Sequence, residues 1–259
     1  MAQRVKTSII VVPIVILVII LGGTWLRLAL LALSLRGLYE LFRAVSGKIL
    51  PIHFAAFLFA PLYFFFGQEH LLVILTSFVL ISFALMVIYF QKIELRDCLI
   101  TVCGFFYVPF MLSFIYLVRD QSIYFAWLIF ISAAVSDTCA YFVGIRWGRH
   151  KLTGTPSPKK SWEGCIGGVV GAAFVGLIYG LVVARITGVH YPMVIIAAMA
   201  AIFSQLGDLF ASAIKRTVEI KDFGRLLPGH GGVLDRFDSI IVAAPVVYIV
   251  MKGIEYLWM

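Results

Sequence analysis

The sequence predicts an all-α, polytopic integral membrane helix bundle of about nine transmembrane helices. The 259-residue chain is 62% hydrophobic and only 13% charged, whereas a soluble domain carries about 25% charged residues. Its mean hydropathy is +1.04. Apolar runs of about 20 residues, the length that crosses a bilayer, follow one another with short polar connections. We therefore exclude a sizeable soluble domain and expect one membrane-embedded domain over 1–259.

Nine apolar segments are the candidate spans. They are, in order, 7–22, 24–42, 51–66, 70–90, 98–118, 122–147, 161–184, 190–214 and 235–257. The first follows Arg4 and Lys6, as a signal peptide would, but it lacks an Ala-x-Ala-like cleavage site, so we expect a retained span. Residues 1–120 are expected to form N-terminal helices, and 121–259 to hold the helices and loops that carry the chemistry.

Basic residues concentrate on one side of the predicted bundle. With the N-terminus in the cytoplasm and nine crossings, the cytoplasmic segments hold all but five of the 21 basic residues. The five exceptions are Arg27, Arg36, Arg119, Arg185 and Lys252. Cytoplasmic loops of membrane proteins carry such an excess, which explains the net charge of +8 without a nucleic-acid partner. The loops 43–50 and 91–97 are both basic, so two crossings, including the short third span, should lie between them.

Small residues also follow a pattern. Glycines cluster in the seventh span, among them Gly164, Gly167, Gly168, Gly171 and Gly176. Such spacing lets membrane helices approach closely, so helix packing is the favoured interpretation. The four cysteines are scattered without a C-x-x-C pair, which indicates neither a zinc site nor a disulfide framework.

One stretch, Ser212 to Asp238, differs from the rest of the chain. It is the only long run that is dense in charge, glycine and polar side chains together, and apolar segments lead into it and out of it. Its basic residues alternate with acids around a P-G-H-G-G turn. Where a membrane protein meets water, this mixture indicates polyanion and metal chemistry.

Carboxylates near the membrane surface are the candidate metal ligands. Asp208 shares a helical face with Ser212 and Lys215, and an ionisable group at that depth is costly and by default functional. A structural pair with an arginine such as Arg36 is the alternative. Asp235 and Asp238 open the ninth span at i and i+3, where a carboxylate also stabilises the helix dipole, so a role as a cap stays open for one of them. Asp208 and Asp235 together offer hard oxygen ligands that suit Mg²⁺.

A second basic element precedes the seventh span. Pro156 and Pro158 break the helix, and Ser161 is expected to cap the next one. Lys159 and Lys160 lie beside that helix start, where free N–H groups and the helix dipole favour phosphate. An ordinary basic cytoplasmic loop is the alternative.

The stretch from Ser212 to Asp238 resembles the signature of the phosphatidate cytidylyltransferase, or CDP-diacylglycerol synthase, family. Every signature position is matched, by Ser212, Lys215-Arg216, Lys221-Asp222, His230-Gly231-Gly232 and Asp235-Arg236-Phe237-Asp238. The family's S-D-x-x-A-Y-like element corresponds to residues 136–141, and its S-P-K-K-[ST]-x-E-G element corresponds to residues 157–164. The resemblance is closest from Asp137 to Asp238.

The resemblance implies the reaction CTP + phosphatidate → CDP-diacylglycerol + pyrophosphate, a step of phospholipid biosynthesis. It implies a Mg²⁺-dependent nucleotidyltransferase in the bacterial inner membrane, with a polar cavity and active site open to the cytoplasm. The expected partners are CTP and phosphatidate in the bilayer, and a homodimer is left open. Asp137 is expected to line the same cavity, as a metal ligand or nucleotide contact, with a structural hydrogen bond as the alternative.

The expected residue roles follow the matched positions. The expected catalytic residues are Asp208, Asp235, Lys215 and Lys221. The expected substrate-binding residues are Asp137, Lys159, Lys160, Ser161, Ser212, Arg216, His230 and Arg236. The expected metal ligands are Asp208, Asp235 and Asp238, because acidic residues at the first two positions hold the catalytic metal in the family. Which basic residue binds which phosphate stays open.

Two other classes of membrane protein use buried aspartates, here Asp137 and Asp208. An intramembrane aspartyl protease carries a G-x-G-D element, but Gln205 occupies its first glycine position in this chain, and Asp137 follows Ser136 where the protease has tyrosine. An ion-coupled transporter has no need of a long basic, glycine-rich loop. Among enzymes, the nearest alternatives are a lipid kinase and a cytidylyltransferase acting on another lipid phosphate.

Overall fold

The computed structural model describes residues 2–226 and 231–258, with side chains described for 12–226 and 231–256. Within these ranges the regular structure is helical, and an isolated β-bridge pairs Lys151 with Ser161. The helices are α1 Ala2–Leu21, α2 Gly23–Ser46, α3 His53–Ile88, α4 Leu95–Phe105, α5 Met111–Gln121, α6 Ile123–Trp147, α7 Trp162–Thr187, α8 Met193–Thr217 and α9 Leu234–Trp258. The predicted all-α class is therefore confirmed.

Six helical segments in the described part of the chain are long and apolar enough to cross a membrane. They are His53–Ile88, Leu95–Gln121, Ile123–Trp147, Trp162–Thr187, Met193–Thr217 and Leu234–Tyr256. A shorter apolar helix covers Val12–Leu21. Helix α2 is not among the six and carries four charged residues, Arg27, Arg36, Glu40 and Arg43. The protein is thus a multi-helix, membrane-type fold, and the count of nine crossings stays a prediction.

The third and fourth predicted spans lie in a single element, α3. This helix is 36 residues long, and its backbone leaves the helical region at His70, with φ −124° and ψ 32°. His70 ends a polar run, Gln68-Glu69-His70, in an otherwise apolar helix. Each arm rises about 25 Å, close to the thickness of the hydrocarbon core. The polar run at the kink occupies the place where the sequence predicts a short external loop.

The fifth predicted span is a continuous helical segment that changes its pitch. A π-helical turn over Phe106–Phe110, containing Pro109, joins α4 to α5. Proline has no N–H to donate, and the wider turn accommodates that loss. Glu94 and Asp97 form a reciprocal capping box at the start of α4.

The chain divides into two compact units. Unit 1 comprises residues 1–113 and 217–236, and unit 2 comprises residues 114–216 and 237–259. Unit 1 holds α1 to α4 and the polar segment before α9, and unit 2 holds α6, α7 and most of α8 and α9. The single domain expected over 1–259 stays a prediction.

Glycines bring α6 and α7 into close contact in unit 2. A Cβ atom on Gly164 would lie 2.8 Å from the Ala140 carbonyl oxygen, and one on Gly168 would lie 2.8 Å from the Ser136 carbonyl oxygen. Farther along α7, a Cβ atom on Gly176 would lie 3.0 Å from the Met193 carbonyl oxygen of α8. The interpretation of these glycines as helix-packing residues is confirmed, because each lets two backbones approach.

Aromatic side chains fill the core of unit 1. Phe78 stacks on Phe105 with ring centroids 4.3 Å apart, and Phe42 stacks on His53 at 4.1 Å. All four side chains are fully buried. These contacts fix α2 against α3 and α4, and so position the polar residues on the last turns of α2.

Candidate active site

An ion pair joins two of the predicted site residues in unit 2. Lys160 Nζ lies 2.5 Å from Asp208 Oδ2, and the two side chains are 26% and 30% exposed. Lys160 lies in the loop between α6 and α7, whereas Asp208 lies in the C-terminal half of α8. Within unit 2 the described ion-pair partner of Asp208 is therefore a lysine of the basic loop.

The loop that presents Lys160 is held at both ends. The Leu152 N–H donates to the Lys160 carbonyl at 2.9 Å, and the Trp162 N–H donates to the His150 carbonyl at 3.0 Å. The His150 ring nitrogen Nδ1 lies 2.6 Å from Glu163 Oε1. Together these contacts close residues 150–162 into a hairpin at the start of α7.

Ser161 caps α7 as the sequence predicts. Its hydroxyl oxygen accepts a hydrogen bond from the Gly164 N–H at 3.2 Å, and its backbone is extended. The side chain is buried. Ser161 therefore supports the neighbouring Lys160 through the cap, while Lys159 is exposed.

Three carboxylates of unit 2 interact electrostatically. Asp137 of α6 interacts with Asp208 and with Lys160. Asp238 of α9 interacts with Asp208, with Lys215 and with Asp137. Three acids and two lysines from four segments therefore form one polar cluster, and all five belong to the predicted site.

Asp238 is the most buried carboxylate of this cluster, with 8% of its surface exposed. Its Oδ1 accepts hydrogen bonds from the Ser239 N–H at 2.8 Å and from the Ser239 hydroxyl at 3.4 Å. Gly207 explains how α8 and α9 meet here, because a Cβ atom on it would lie 2.6 Å from the Asp238 carbonyl oxygen. The glycine before Asp208 therefore has a packing function.

Gln205 is a polar residue of this region to which the sequence analysis assigned no role. Its Nε2 donates to the Ser136 hydroxyl at 2.9 Å and to the Cys165 carbonyl at 3.0 Å, so it joins α8 to α6 and α7. Ser204, next to it, is fully buried, and its hydroxyl has no hydrogen-bond partner among the described residues. The signal that could have indicated Gln205 was an uncharged amide one turn before Asp208 in an apolar helix.

In unit 1 the predicted signature is anchored by a residue that the sequence analysis did not single out. Glu40 of α2 is 1% exposed. Its Oε2 accepts a hydrogen bond from the Leu234 N–H at 3.0 Å, and its Oε1 lies 3.0 Å from Arg36 Nε. Gly224 and Gly232 lie against the same carboxylate, so that a Cβ atom on either would collide with it. The sequence did not indicate that Glu40 holds the signature segment, because it shows only a single acid in a helix that contains arginines.

Asp235 also organises the signature within unit 1. Its Oδ2 accepts hydrogen bonds from the Phe223 N–H at 2.8 Å and from the Gly232 N–H at 2.9 Å. Gly231 adopts φ +88°, which glycine alone adopts readily, and a Cβ atom there would lie 2.9 Å from the same oxygen. Asp235 therefore holds both ends of the loop, in addition to any role toward a metal.

The remaining predicted residues are placed as follows. Ser212, Lys215 and Arg216 lie in the last turns of α8, and Lys221 and Arg236 are exposed in unit 1. His230 lies outside the described residues. Asp208 and Asp238 belong to unit 2, and Asp235 belongs to unit 1. Among the described residues, no three His, Cys, Asp or Glu side chains are grouped as a complete metal site.

Carboxylate oxygens are nevertheless the donors that Mg²⁺ requires. This ion usually takes only one or two carboxylates from the protein and fills its other positions with water and substrate phosphates. Asp208 and Asp238 lie near enough to repel each other, and Asp238 is nearly buried, so a cation between two such carboxylates fits that donor set.

Comparisons with known proteins complete the description of the site. A model of the cytidylyltransferase family matches residues 2–254. A phosphatidate cytidylyltransferase of Staphylococcus haemolyticus is 31% identical over 97% of this chain and 99% of its own length. A phosphatidate cytidylyltransferase of Bacillus subtilis is 30% identical over 97% of each chain. One of Thermotoga maritima is 43% identical over 58% of this chain and 57% of its own length.

Proposed function

The chain belongs to the cytidylyltransferase family, and from this premise we propose that it is a phosphatidate cytidylyltransferase of phospholipid biosynthesis. It converts CTP and phosphatidate to CDP-diacylglycerol and pyrophosphate. The observation that carries the proposal is the match over nearly the full length to relatives that bear this name. The family match also favours a transferase over the aspartyl protease and the transporter.

The proposed reaction forms one bond and breaks one bond. A phosphate oxygen of phosphatidate attacks the α-phosphorus of CTP, and the bond between the α-phosphorus and the bridging oxygen breaks, so that pyrophosphate leaves. The second pKa of a phosphate monoester is about 6, so the nucleophile is largely dianionic at neutral pH. A strong general base is therefore unnecessary, and catalysis requires positioning and charge neutralisation.

The polar cluster of unit 2 supplies both the positioning and the charge neutralisation that the reaction requires. Lys160 is held by the hairpin and by its ion pair with Asp208, and the charge of Lys215 interacts with Asp238. A lysine held in this way neutralises phosphate charge with less loss of side-chain freedom than a mobile one. Lys160 and Lys215 therefore bind phosphate oxygens of the substrates, and Lys159, Ser212 and Arg216 extend the same surface.

Mg²⁺ is the proposed cofactor. Asp208 and Asp238 of unit 2 would hold it through carboxylate oxygens, and Asp137 would orient the nucleotide. Asp235 of unit 1 stays a predicted ligand. When bound, the ion would supply Lewis-acid polarisation of the phosphates and would neutralise the charge on the leaving group. Lys221 and Arg236 of unit 1 would bind the lipid phosphate or the pyrophosphate.

The proposed setting is the bacterial inner membrane. Nine crossings, with α3 counted as two at its His70 kink, leave the basic loops and the polar cluster on the cytoplasmic side. The site would then open as a polar cavity to cytoplasmic CTP, and the acyl chains of phosphatidate would stay in the bilayer. A homodimer is compatible with this arrangement.

The decisive experiment measures the reaction itself. The full-length protein is purified in detergent and incubated with CTP, and pyrophosphate release and CDP-diacylglycerol formation are measured with and without phosphatidate. We expect both products only when phosphatidate is present. Pyrophosphate release that is equal without a lipid, or transfer only to another lipid phosphate, would refute the proposal.

A further inference from the structure

A cleft of about 860 Å³ opens within unit 1. Small-molecule sites in proteins range from about 300 to 1,000 Å³, so this cleft has the size of a ligand site. One wall is the last part of α2, and the other is the segment 220–226. On α2 the lining residues are Arg36, Tyr39, Glu40 and Arg43. Their spacing of three, four and seven residues puts them on one helical face.

Tyr39 orients two arginines on the α2 wall. The Arg36 guanidinium lies over the Tyr39 ring, 5.2 Å from its centroid. Arg43 Nη1 donates a hydrogen bond to the Tyr39 hydroxyl at 3.1 Å. Both guanidinium groups are thus held by the same tyrosine, which reduces the entropy lost when they bind a ligand.

The opposite wall adds further positive charge. Lys221 and Arg225 are exposed there, and Asp222 is the only acid on that wall. The whole lining contains four cationic and two acidic side chains, so its formal net charge is +2. The acid on the α2 wall, Glu40, is nearly fully buried and bound by Arg36 and the Leu234 N–H, so it offers little repulsion to an anion.

Both walls are held in place by contacts already described. Glu40 joins α2 to the backbone at Leu234 and packs against Gly224 in the second wall. Asp235 binds the Phe223 N–H, in the middle of the same wall. Both walls of the cleft are therefore held by specific contacts, and its arginines lie on α2 and on the segment 220–226.

We propose that this cleft binds a phosphate group of a substrate or product, with Arg43 and Arg225 as its principal binding residues. Guanidinium groups match phosphate oxygens in geometry, and a phosphate bound by several of them gains charge-assisted hydrogen bonds. The inference rests on the proposed function, which supplies two sources of this chemistry. One is the polyphosphate of CTP or its pyrophosphate product, and the other is the headgroup of phosphatidate.

The test compares three purified full-length variants with the native chain. They are Arg43→Gln, Arg225→Gln and the double variant, each checked by a thermal melt. Arg96→Gln is the matched control, because Arg96 is an exposed arginine of unit 1 outside the cleft. Binding of inorganic pyrophosphate is measured by calorimetry, and the KM for phosphatidate is measured in mixed micelles at saturating CTP.

We expect the double variant to lose about tenfold or more in one of the two measurements, while Arg96→Gln stays at the native value. Weaker pyrophosphate binding identifies the soluble phosphates as the ligand, and a raised KM for phosphatidate alone identifies the lipid headgroup. If both measurements are unchanged, or if the control changes as much, the proposal is overturned. A native chain that binds pyrophosphate but makes no CDP-diacylglycerol would refute the proposed function, but phosphate binding by the cleft would still hold.

Discussion

Lys160 Nζ and Asp208 Oδ2 lie 2.5 Å apart, which joins the loop before α7 to the polar face of α8. The two residues are 48 positions apart in the sequence. Both had been singled out as site residues, one for phosphate and one for metal, but nothing in the sequence paired them. Their contact places a lysine that we propose to bind phosphate beside a candidate metal ligand.

The two adjacent lysines of this loop should differ in their importance. Lys160→Ala removes the partner of Asp208, so we expect it to raise the KM for CTP or phosphatidate about tenfold. Lys159→Ala is the comparison, and we expect a smaller effect from it, because Lys159 carries the same charge but is exposed and it is Lys160 that pairs with Asp208. The melting temperature should change little in either variant, since a partly exposed pair contributes at most about 1 kcal/mol. Equal effects of the two substitutions would favour the alternative that this is an ordinary basic cytoplasmic loop without a specific phosphate-binding lysine.

The metal proposal predicts large effects of charge removal at two aspartates. Asp208→Asn and Asp235→Asn keep the size and an acceptor oxygen, but they remove the charge that attracts the ion. We expect each to lower the rate of CTP turnover roughly a thousandfold, because several kcal/mol of transition-state stabilisation is lost. Turnover is measured across Mg²⁺ concentrations, with a chelator control and a thermal melt for each variant. Near-normal turnover in a variant, or activity in the chelator, would remove that residue from the metal site.

Glu40 should matter for stability, because it is a buried charge with structural partners. Glu40→Gln weakens the pair with Arg36 and places an amide against Gly224 and Gly232. We expect the free energy of unfolding to fall by about 2 kcal/mol, and the melting temperature in detergent with it. Glu69→Gln is the control, since that side chain is 83% exposed. If the Glu40 variant has the same melting temperature as the native protein, the stability of the signature segment does not depend on the Glu40 contacts.

Close helix contact predicts a difference between two glycines. A Cβ atom on Gly168 would lie 2.7 Å from Gln205 Nε2 and 2.8 Å from the Ser136 carbonyl, so Gly168→Ala should destabilise the protein by about 1–3 kcal/mol. Gly253→Ala is the matched control, because a Cβ atom there meets nothing within 4 Å. It should leave the melting temperature unchanged or raise it slightly, since alanine favours helix. Equal melting temperatures for the two variants would contradict the close α6–α7 contact.

The nine-crossing topology predicts that His150 and the C-terminus lie on opposite sides of the membrane. A reporter fused after His150 should be cytoplasmic, and one fused after Met259 should be external, because the positive-inside bias orients the chain in this way. Fusions within α3 at residues 68–70 should report the external side. If both the His150 and the Met259 fusions are cytoplasmic, the nine-crossing arrangement is wrong.

Much of the helical structure could be predicted from composition and local pattern. Apolar length predicted the helices because a segment in lipid must satisfy its own backbone hydrogen bonds. The serine cap at Ser161 and the glycine face of α7 were also predictable, since capping and close packing depend on residue type and spacing. The third and fourth spans were predicted as separate helices, but the structure joins them through one kinked element, because no helix-breaking residue lies between Gly67 and His70.

The sequence by itself determined the helical, membrane-type class of the protein and the positions of most of its helices, and it predicted the residues that would carry the family's chemistry. Tertiary structure alone decided which of these residues meet. Glu40 contacts a backbone N–H 194 residues away, and Lys160 pairs with Asp208. The physical reason is that helix formation depends on local hydrogen bonds and hydropathy, whereas these contacts depend on how close the backbones can come. That distance is set by glycines at Gly168, Gly207 and Gly224, whose neighbours no local pattern specifies.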